Sequence, residues 1–135
     1  MNTKDKGNIS EQRIIVDLLE NDMSVSTPVG DNERYDIILD TGNSLLKLQV
    51  KTAQVTDNES IKFNCSSSYL LSSGSVERTY SEEEIDAFAV YCPETDDIAY
   101  VPINDAPKNK MWLRKERKSS RSNVLEDFGI GAVVE

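Results

Sequence analysis

Three side chains in the first half of the chain have the types and spacing for phosphate chemistry. Asp36 lies in Arg34-Tyr35-Asp36-Ile37-Ile38-Leu39-Asp40, and Gln49 and Lys51 lie in Ser44 through Ala53. The turn signal Thr41-Gly42-Asn43 separates the two segments, so they predict an antiparallel hairpin. Side chains of a strand alternate between faces, which puts Lys47, Gln49 and Lys51 on one face and Leu46, Leu48 and Val50 on the other. On the preceding strand Tyr35, Ile37 and Leu39 point one way, and Asp36, Ile38 and Asp40 the other. Asp36 can therefore share a face with Gln49 and Lys51. Asp36 and Asp40 are about 13 Å apart along a strand, so only one of them can stand beside that pair. Asp40 flanks the turn and is explained as a turn former, which leaves Asp36.

A carboxylate, an amide oxygen and a lysine form a set suited to Mg²⁺, with Mn²⁺ as a substitute, because these hard cations take oxygen ligands. Such a cation polarises a phosphate oxygen and acidifies a water, while a lysine stabilises developing negative charge. The plain alternative for the three residues is a solvated polar sheet face. Glu11 is a further candidate. It precedes Ile14, Ile15 and Leu18 by three, four and seven positions and so shares their apolar helical side. Its plain alternative is a capping-box glutamate three residues after a cap at Asn8.

The elements that must carry these residues follow from the rest of the pattern. Residues 8–22 predict a helix, Val25 to Val29 a short strand limited by Pro28, and Ser60–Cys65 a strand. The serine-rich stretch Ser66–Ser75 has no period and predicts a loop. Glu82–Asp86 predicts one helical turn, Ala87–Cys92 a buried strand, and Ile98 to Ile103 its partner across Pro93–Asp97. Lys108 to Lys118 predicts a basic helix. The order is that of an α/β (α+β) fold with a mixed central sheet flanked by helices.

Composition limits the other options. The 135 residues fit one domain over 1–135, with 38% hydrophobic residues and only six glycines and four prolines. There is no histidine, and the two cysteines, Cys65 and Cys92, are far apart. That excludes the usual zinc clusters and Ser-His or Cys-His nucleophiles, and it reads the cysteines as reduced, buried fillers. No apolar run reaches the ~20 residues of a membrane span. The polar start MNTKDKGNISEQ resembles no secretory signal, so a cytoplasmic location without membrane partners is expected. The net charge is −9, yet Lys108, Lys110, Arg114, Lys115, Arg117, Lys118 and Arg121 face a single acid, Glu116, between 108 and 121. That arm carries +6 and leaves −15 on the remainder. An acidic body with a basic arm can still bind DNA, since the local potential governs the contact. The plain reading of the run is a solvated face, and acidity can also be an adaptation to a salty cytoplasm.

Three segments resemble the PD-(D/E)xK nuclease superfamily, in particular the small archaeal Holliday-junction resolvases and the branch containing a group I intron homing endonuclease. Lys6-Gly7-Asn8-Ile9-Ser10-Glu11 resembles the KGxxxE opening of the resolvase helix, and Arg34-Tyr35-Asp36-Ile37-Ile38 the motif aspartate at a strand start. Leu46-Lys47-Leu48-Gln49-Val50-Lys51-Thr52-Ala53 resembles the next strand in its QxK version. Tyr80 with Ile85–Tyr91, and Tyr100-Val101-Pro102, resemble later strands of that branch, so the likeness spans roughly residues 6–103.

The resemblance implies a restriction-endonuclease-like core and a Mg²⁺-dependent DNA endonuclease. Asp36 would be the principal metal ligand, Gln49 and Glu11 would be further ligands, and Lys51 would act near the attacking water or scissile phosphate. Gln49 departs from the acidic residue usual there and supplies no charge. The basic arm would hold the DNA backbone, and a homodimer or higher homo-oligomer would bring two sites to two strands. A branched junction and a specific duplex site both stand open as substrates. The rivals are a catalytically weak or inactive DNA-binding or assembly module on the same fold, and a protein-interaction domain whose basic arm grips an acidic partner.

Overall fold

The first helix starts one and a half turns before the residues that predict it. α1 spans Thr3–Glu20 in the computed structural model, which describes residues 1–57 and 59–134. Asn2, not Asn8, is its cap: the Asn2 Oδ1 accepts the Asp5 N–H at 2.8 Å and satisfies one of the orphan donors of the first turn. Glu11 therefore lies in the middle of the helix and has no capping role. Ser10, Ile14 and Leu18, spaced by four, form the buried stripe. The helix ends where Asp22 takes a φ of 60° and the Met23 N–H returns to the Leu18 carbonyl at 3.0 Å.

Ten strands follow among the described residues: β1 Ser24–Ser26, β2 Ile37–Asp40, β3 Leu45–Thr52, β4 Gln54–Val55, β5 Ser60–Asn64, β6 Ser66–Leu71, β7 Gly74–Thr79, β8 Ala87–Cys92, β9 Asp97–Pro102 and β10 Lys110–Arg114. The main sheet has the order β1-β2-β3-β8-β9. β3 pairs antiparallel with β2 and parallel with β8, so the sheet is mixed as expected. The turn between β2 and β3 is held by Asp40, whose Oδ1 accepts the Gly42 N–H at 2.9 Å, with Gly42 at a φ of +90°. Asp40 is thus the turn former that its position suggested.

Each face of this sheet has its own core. On one side Ile14 and Leu18 of α1 meet Ile37, Leu39, Leu48, Val50, Ala87, Ala89, Tyr91 and Tyr100. The buried Ser10 hydroxyl meets the Thr52 hydroxyl at 2.6 Å and sets the helix on β3. On the other side Phe88, Val90, Ala99 and Val101 meet Ile61, Phe63, Met111 and Leu113 from a second sheet of order β10-β5-β4. β8 is buried along its whole length, as a strand covered on both faces must be. Tyr35 packs against the second core, whereas Ile37 and Leu39 face the first. Strict alternation therefore stops where β2 begins.

Two further expectations fail. The serine-rich segment is no loop, because β6 and β7 form an antiparallel hairpin with Ser66 opposite Thr79 and Leu71 opposite Gly74. Most of this hairpin is exposed on both faces, so it needs no apolar alternation and shows none. The basic helix over 108–118 is also absent. Lys110, Trp112 and Arg114 alternate with the buried Met111 and Leu113, and β10 pairs with β5 from Lys110↔Asn64 to Arg114↔Ser60. A two-residue apolar period inside the charge run is a strand signal, and the charges obscured it. Glu82–Glu84 forms a turn, with the Ile85 N–H bonded to the Ser81 carbonyl at 3.1 Å. After β10 the chain returns through short 3-10 turns at Leu125–Phe128 and Ile130–Ala132, and Phe128 enters the second core. Cys65 and Cys92 are both buried and free.

Candidate active site

β3 outruns each neighbour at a different end, because β8 pairs it only from Leu48 onward and β2 only up to Leu48. β8 starts at Ala87, and the Asp86 carboxylate before it accepts the Lys47 N–H at 2.8 Å. β2 starts at Ile37, and the Asp36 carboxylate before it accepts the Val50 N–H at 2.9 Å. The Asp36 N–H is itself bonded to the Leu48 carbonyl at 2.8 Å. Held at both ends, Asp36 has little rotational freedom. The register Ile37↔Leu48 brings it level with Gln49 across the hairpin.

Asp36 and Glu11 both line a cleft of about 220 Å³, together with Thr27, Pro28, Gly30, Asp31, Glu33 and Tyr35. Burial raises the pKa of Asp36 above its ordinary value, against the opposing pull of the Val50 N–H and the Lys51 charge. Glu11 is raised as well, first by burial and then by the negative charge of Asp36. Two carboxylates that repel each other in a partly desolvated cleft favour either protons or a cation. α1 thus delivers Glu11 to the aspartate from the sheet's helix side, while Lys51 approaches from β3.

Lys51 is oriented by groups far apart in the chain. Its Nζ donates to the Ser66 carbonyl at 3.0 Å and lies 5.1 Å from the centre of the Tyr80 ring. The Arg34 guanidinium lies 3.9 Å from the same ring centre. Arg34 also bonds Glu84 at 3.0 Å and the Ser67 hydroxyl at 3.2 Å. Tyr80 in turn meets Phe88 edge to face at 5.4 Å. Arg34, Ser66 and Tyr80 thus surround Lys51, and residue spacing did not single them out. The one signal for Tyr80 was its place in the family-like segment, and for Arg34 its place two residues before Asp36.

Gln49 stands beside Asp36 by register, and its Nε2 faces its own strand's Val50 carbonyl at 3.4 Å, a long contact. Among the described residues no group of three or more histidines, cysteines, aspartates or glutamates is arranged to hold a metal. Of the residues expected at the site, Asp36 and Glu11 share the cleft, whereas Gln49 and Lys51 are not among its lining residues. The two carboxylates are oxygen donors, which fits Mg²⁺ or Mn²⁺.

A family model described as PD-(D/E)XK endonuclease matches residues 1–129. The chain belongs to that family. PD-(D/E)XK nucleases generally use divalent metals, typically Mg²⁺, and act on DNA. No curated protein matches the chain. Among solved structures it is similar to a bacterial homing endonuclease, I-Ssp6803I, with a TM-score of 0.81 and 23% identity over 95% of this chain and 88% of that one. At that identity the likeness is one of fold, and it agrees with the restriction-endonuclease-like core that the motif segments implied.

In this PD-(D/E)XK endonuclease the basic arm is not one surface. Lys108, Lys110, Lys115, Lys118 and Arg121 are exposed, and Arg114 is half-buried. Arg117 is engaged with Asp127 at 2.6 Å. The arm is divided among the segment before β10, β10 itself and the loop after it.

Proposed function

We propose that this chain is a Mg²⁺-dependent DNA endonuclease that hydrolyses phosphodiester bonds with Asp36, Glu11, Gln49 and Lys51. The observation that carries this reading is Asp36 itself, fixed on the Val50 N–H and sharing a cleft with a second carboxylate whose pKa it helps to raise. Asp36 and Glu11 hold the cation, and the Gln49 amide oxygen completes the protein's share of its ligands. When bound, Mg²⁺ supplies Lewis acidity toward a phosphate oxygen and makes a water more acidic. Lys51, positioned by the Ser66 carbonyl and Tyr80, places its charge beside the phosphate as negative charge develops. Residues 1–135 act as one domain, and exposed basic residues among Lys108–Arg121 contact the DNA backbone. Cleavage of both strands calls for two copies of the site, so a homodimer or higher homo-oligomer is the working form.

Purified protein with Mg²⁺ or Mn²⁺ is tested on branched, single-stranded and duplex DNA. The expected result is metal-dependent cleavage that Asp36→Asn abolishes. Equal cleavage by that variant and the wild type overturns the site. Gln49 favours one other reading, a DNA-binding module with little or no catalysis, because a neutral ligand weakens cation binding. DNA binding without divalent metal, with no heat of Mn²⁺ binding by calorimetry, selects that reading.

A further inference from the structure

Trp112 is the only tryptophan in the chain and is 48% exposed. It lies on the outer face of the small sheet, where β10 pairs with β5 and β5 with β4. The Cα register puts Trp112 level with Lys62, and Lys62 level with Gln54. The flanking rows of that face are Lys110 with Asn64, both exposed, and Arg114 with Ser60, the first half-buried and the second buried. Three cations and one large aromatic thus share a face, with Glu59 and Glu116 beside its Ser60 end and Lys110 and Asn64 exposed at the other. The inner face holds Ile61, Phe63, Met111 and Leu113 in the core, so core packing explains those residues and leaves the outer row unexplained. Among the described residues no aromatic ring and no cation stacks on the Trp112 indole.

This face also leads to the site. β5 ends at Asn64, and two residues later the Ser66 carbonyl accepts from Lys51. The Cys65 N–H bonds the Asn109 carbonyl at 2.6 Å and holds the start of β10 beside that exit. Ser66 is four positions after Lys62, so the chain path from the Trp112 row to the lysine anchor is at most about 14 Å. Alternate residues on a strand recur every ~6.6 Å, which sets a regular ladder of cationic side chains along the face.

We propose that the outer face of β5 and β10 binds an unpaired segment of DNA, with a base stacked on Trp112 and backbone phosphates on Lys62, Lys110 and Arg114. Aromatic side chains interleaved with cations are the general chemistry of single-strand binding, because every base has a stacking face and every phosphate a charge. In a fully paired duplex the bases are stacked on one another and no base face is free for the indole. The inference rests on the reading of DNA as substrate and narrows its class to DNA carrying unpaired bases next to the cleaved bond.

The test uses the full chain in EDTA, with a single-stranded oligonucleotide, a gapped duplex and an intact duplex of matched sequence. Trp112 is the sole source of tryptophan fluorescence, so its quenching reports on this face alone. Single-stranded and gapped DNA are expected to quench the emission and intact duplex to leave it largely unchanged. Trp112→Ala, followed by anisotropy of labelled DNA, is expected to weaken binding of the gapped DNA about tenfold, and Trp112→Phe to restore most of it. Lys62→Ala is expected to weaken binding and flatten its salt dependence. Circular dichroism of each variant establishes that the fold is intact. Equal quenching by intact duplex, no quenching by any DNA, or quenching that follows protein self-association instead of DNA addition overturns the proposal. Cleavage assayed separately with Mn²⁺ distinguishes the two readings: cleavage without quenching defeats only this inference, and quenching without cleavage defeats only the endonuclease.

Discussion

The Asp36 carboxylate takes the place of a missing backbone acceptor for Val50, at 2.9 Å from its N–H. One side chain thus completes the sheet and lines the candidate site's cleft. The two roles separate by substitution. Asp36→Asn keeps an acceptor oxygen and is expected to fold with stability close to wild type while losing cleavage. Asp36→Ala leaves a half-buried N–H unpaired and is expected to lose about 1–3 kcal/mol of folding stability as well. Urea denaturation beside a cleavage assay distinguishes the pair, and equal stability of the two variants contradicts the structural role.

Acidity should stabilise the metal-free site. Burial raises both Glu11 and Asp36 above their ordinary values of 4.5 and 3.8, and the charge of Asp36 raises Glu11 further. The folded state then binds more protons than the unfolded state between the ordinary and the raised values, so these two groups make stability fall as pH rises through that window. The penalty is complete above the raised values and relieved below the ordinary ones. Glu11→Gln removes one of the two charges. It is expected to make the metal-free protein more stable than wild type at neutral pH, with the difference shrinking on acidification toward 4.5. Thermal midpoints of both proteins in EDTA across that range give the answer. Protons compete with the cation for the same oxygens, so Mn²⁺ affinity is expected to fall over the same window.

Gln49→Glu adds a third carboxylate beside Asp36. Ligand charge sets much of the affinity of oxygen-donor sites, and Mn²⁺ binding is expected to tighten on the order of tenfold. The metal-free variant is expected to be less stable than wild type, because the added charge repels Asp36. Calorimetry at fixed pH measures the first effect and denaturation in EDTA the second; unchanged affinity would remove Gln49 from the ligand set.

Tyr80 is a positioning residue for Lys51, and Arg34 is one for Tyr80. Misplacement of a reacting group by about 1 Å can cost roughly 100-fold in rate. Tyr80→Ala is expected to lower kcat by up to that order with little change in KM, and Tyr80→Phe to recover most of it, since the ring and not the hydroxyl meets Lys51. A KM effect as large as the kcat effect would point to DNA contact instead.

Ser10 is fully buried under α1 and bonded to Thr52. Ser10→Ala leaves the Thr52 hydroxyl without that partner and is expected to destabilise the fold by about 1 kcal/mol, measurable by urea titration.

The central hairpin was legible because Leu46, Leu48 and Val50 commit one face to a core, which forces Lys47, Gln49 and Lys51 to the other. Asp36 followed from the turn. Glu11 was found from its helical side, while its cap was misread, because Asn8 and Asn2 offer the same short polar side chain and only packing decides where the helix begins. The hairpin at Ser66–Thr79 was illegible for a different reason. Its strands bury almost nothing, so no period marks them, and backbone pairing alone defines them. The dense charge of Lys108–Arg121 hid a period-two strand. Lys51 meets Tyr80 across 29 positions of sequence and Tyr80 meets Arg34 across 46, and no local pattern encodes such a meeting.

The parallel pairing of β3 with β8 bears on biosynthesis. Glu11, Asp36, Gln49, Lys51 and Tyr80 all precede Ala87, so a nascent chain carries these site residues before β8 emerges. Until then β3 has β2 on one side and an open edge on the other, and an open apolar edge is a template for pairing with other chains. Partial translation products that stop before β8 therefore carry the candidate site residues without the strand that pairs with β3.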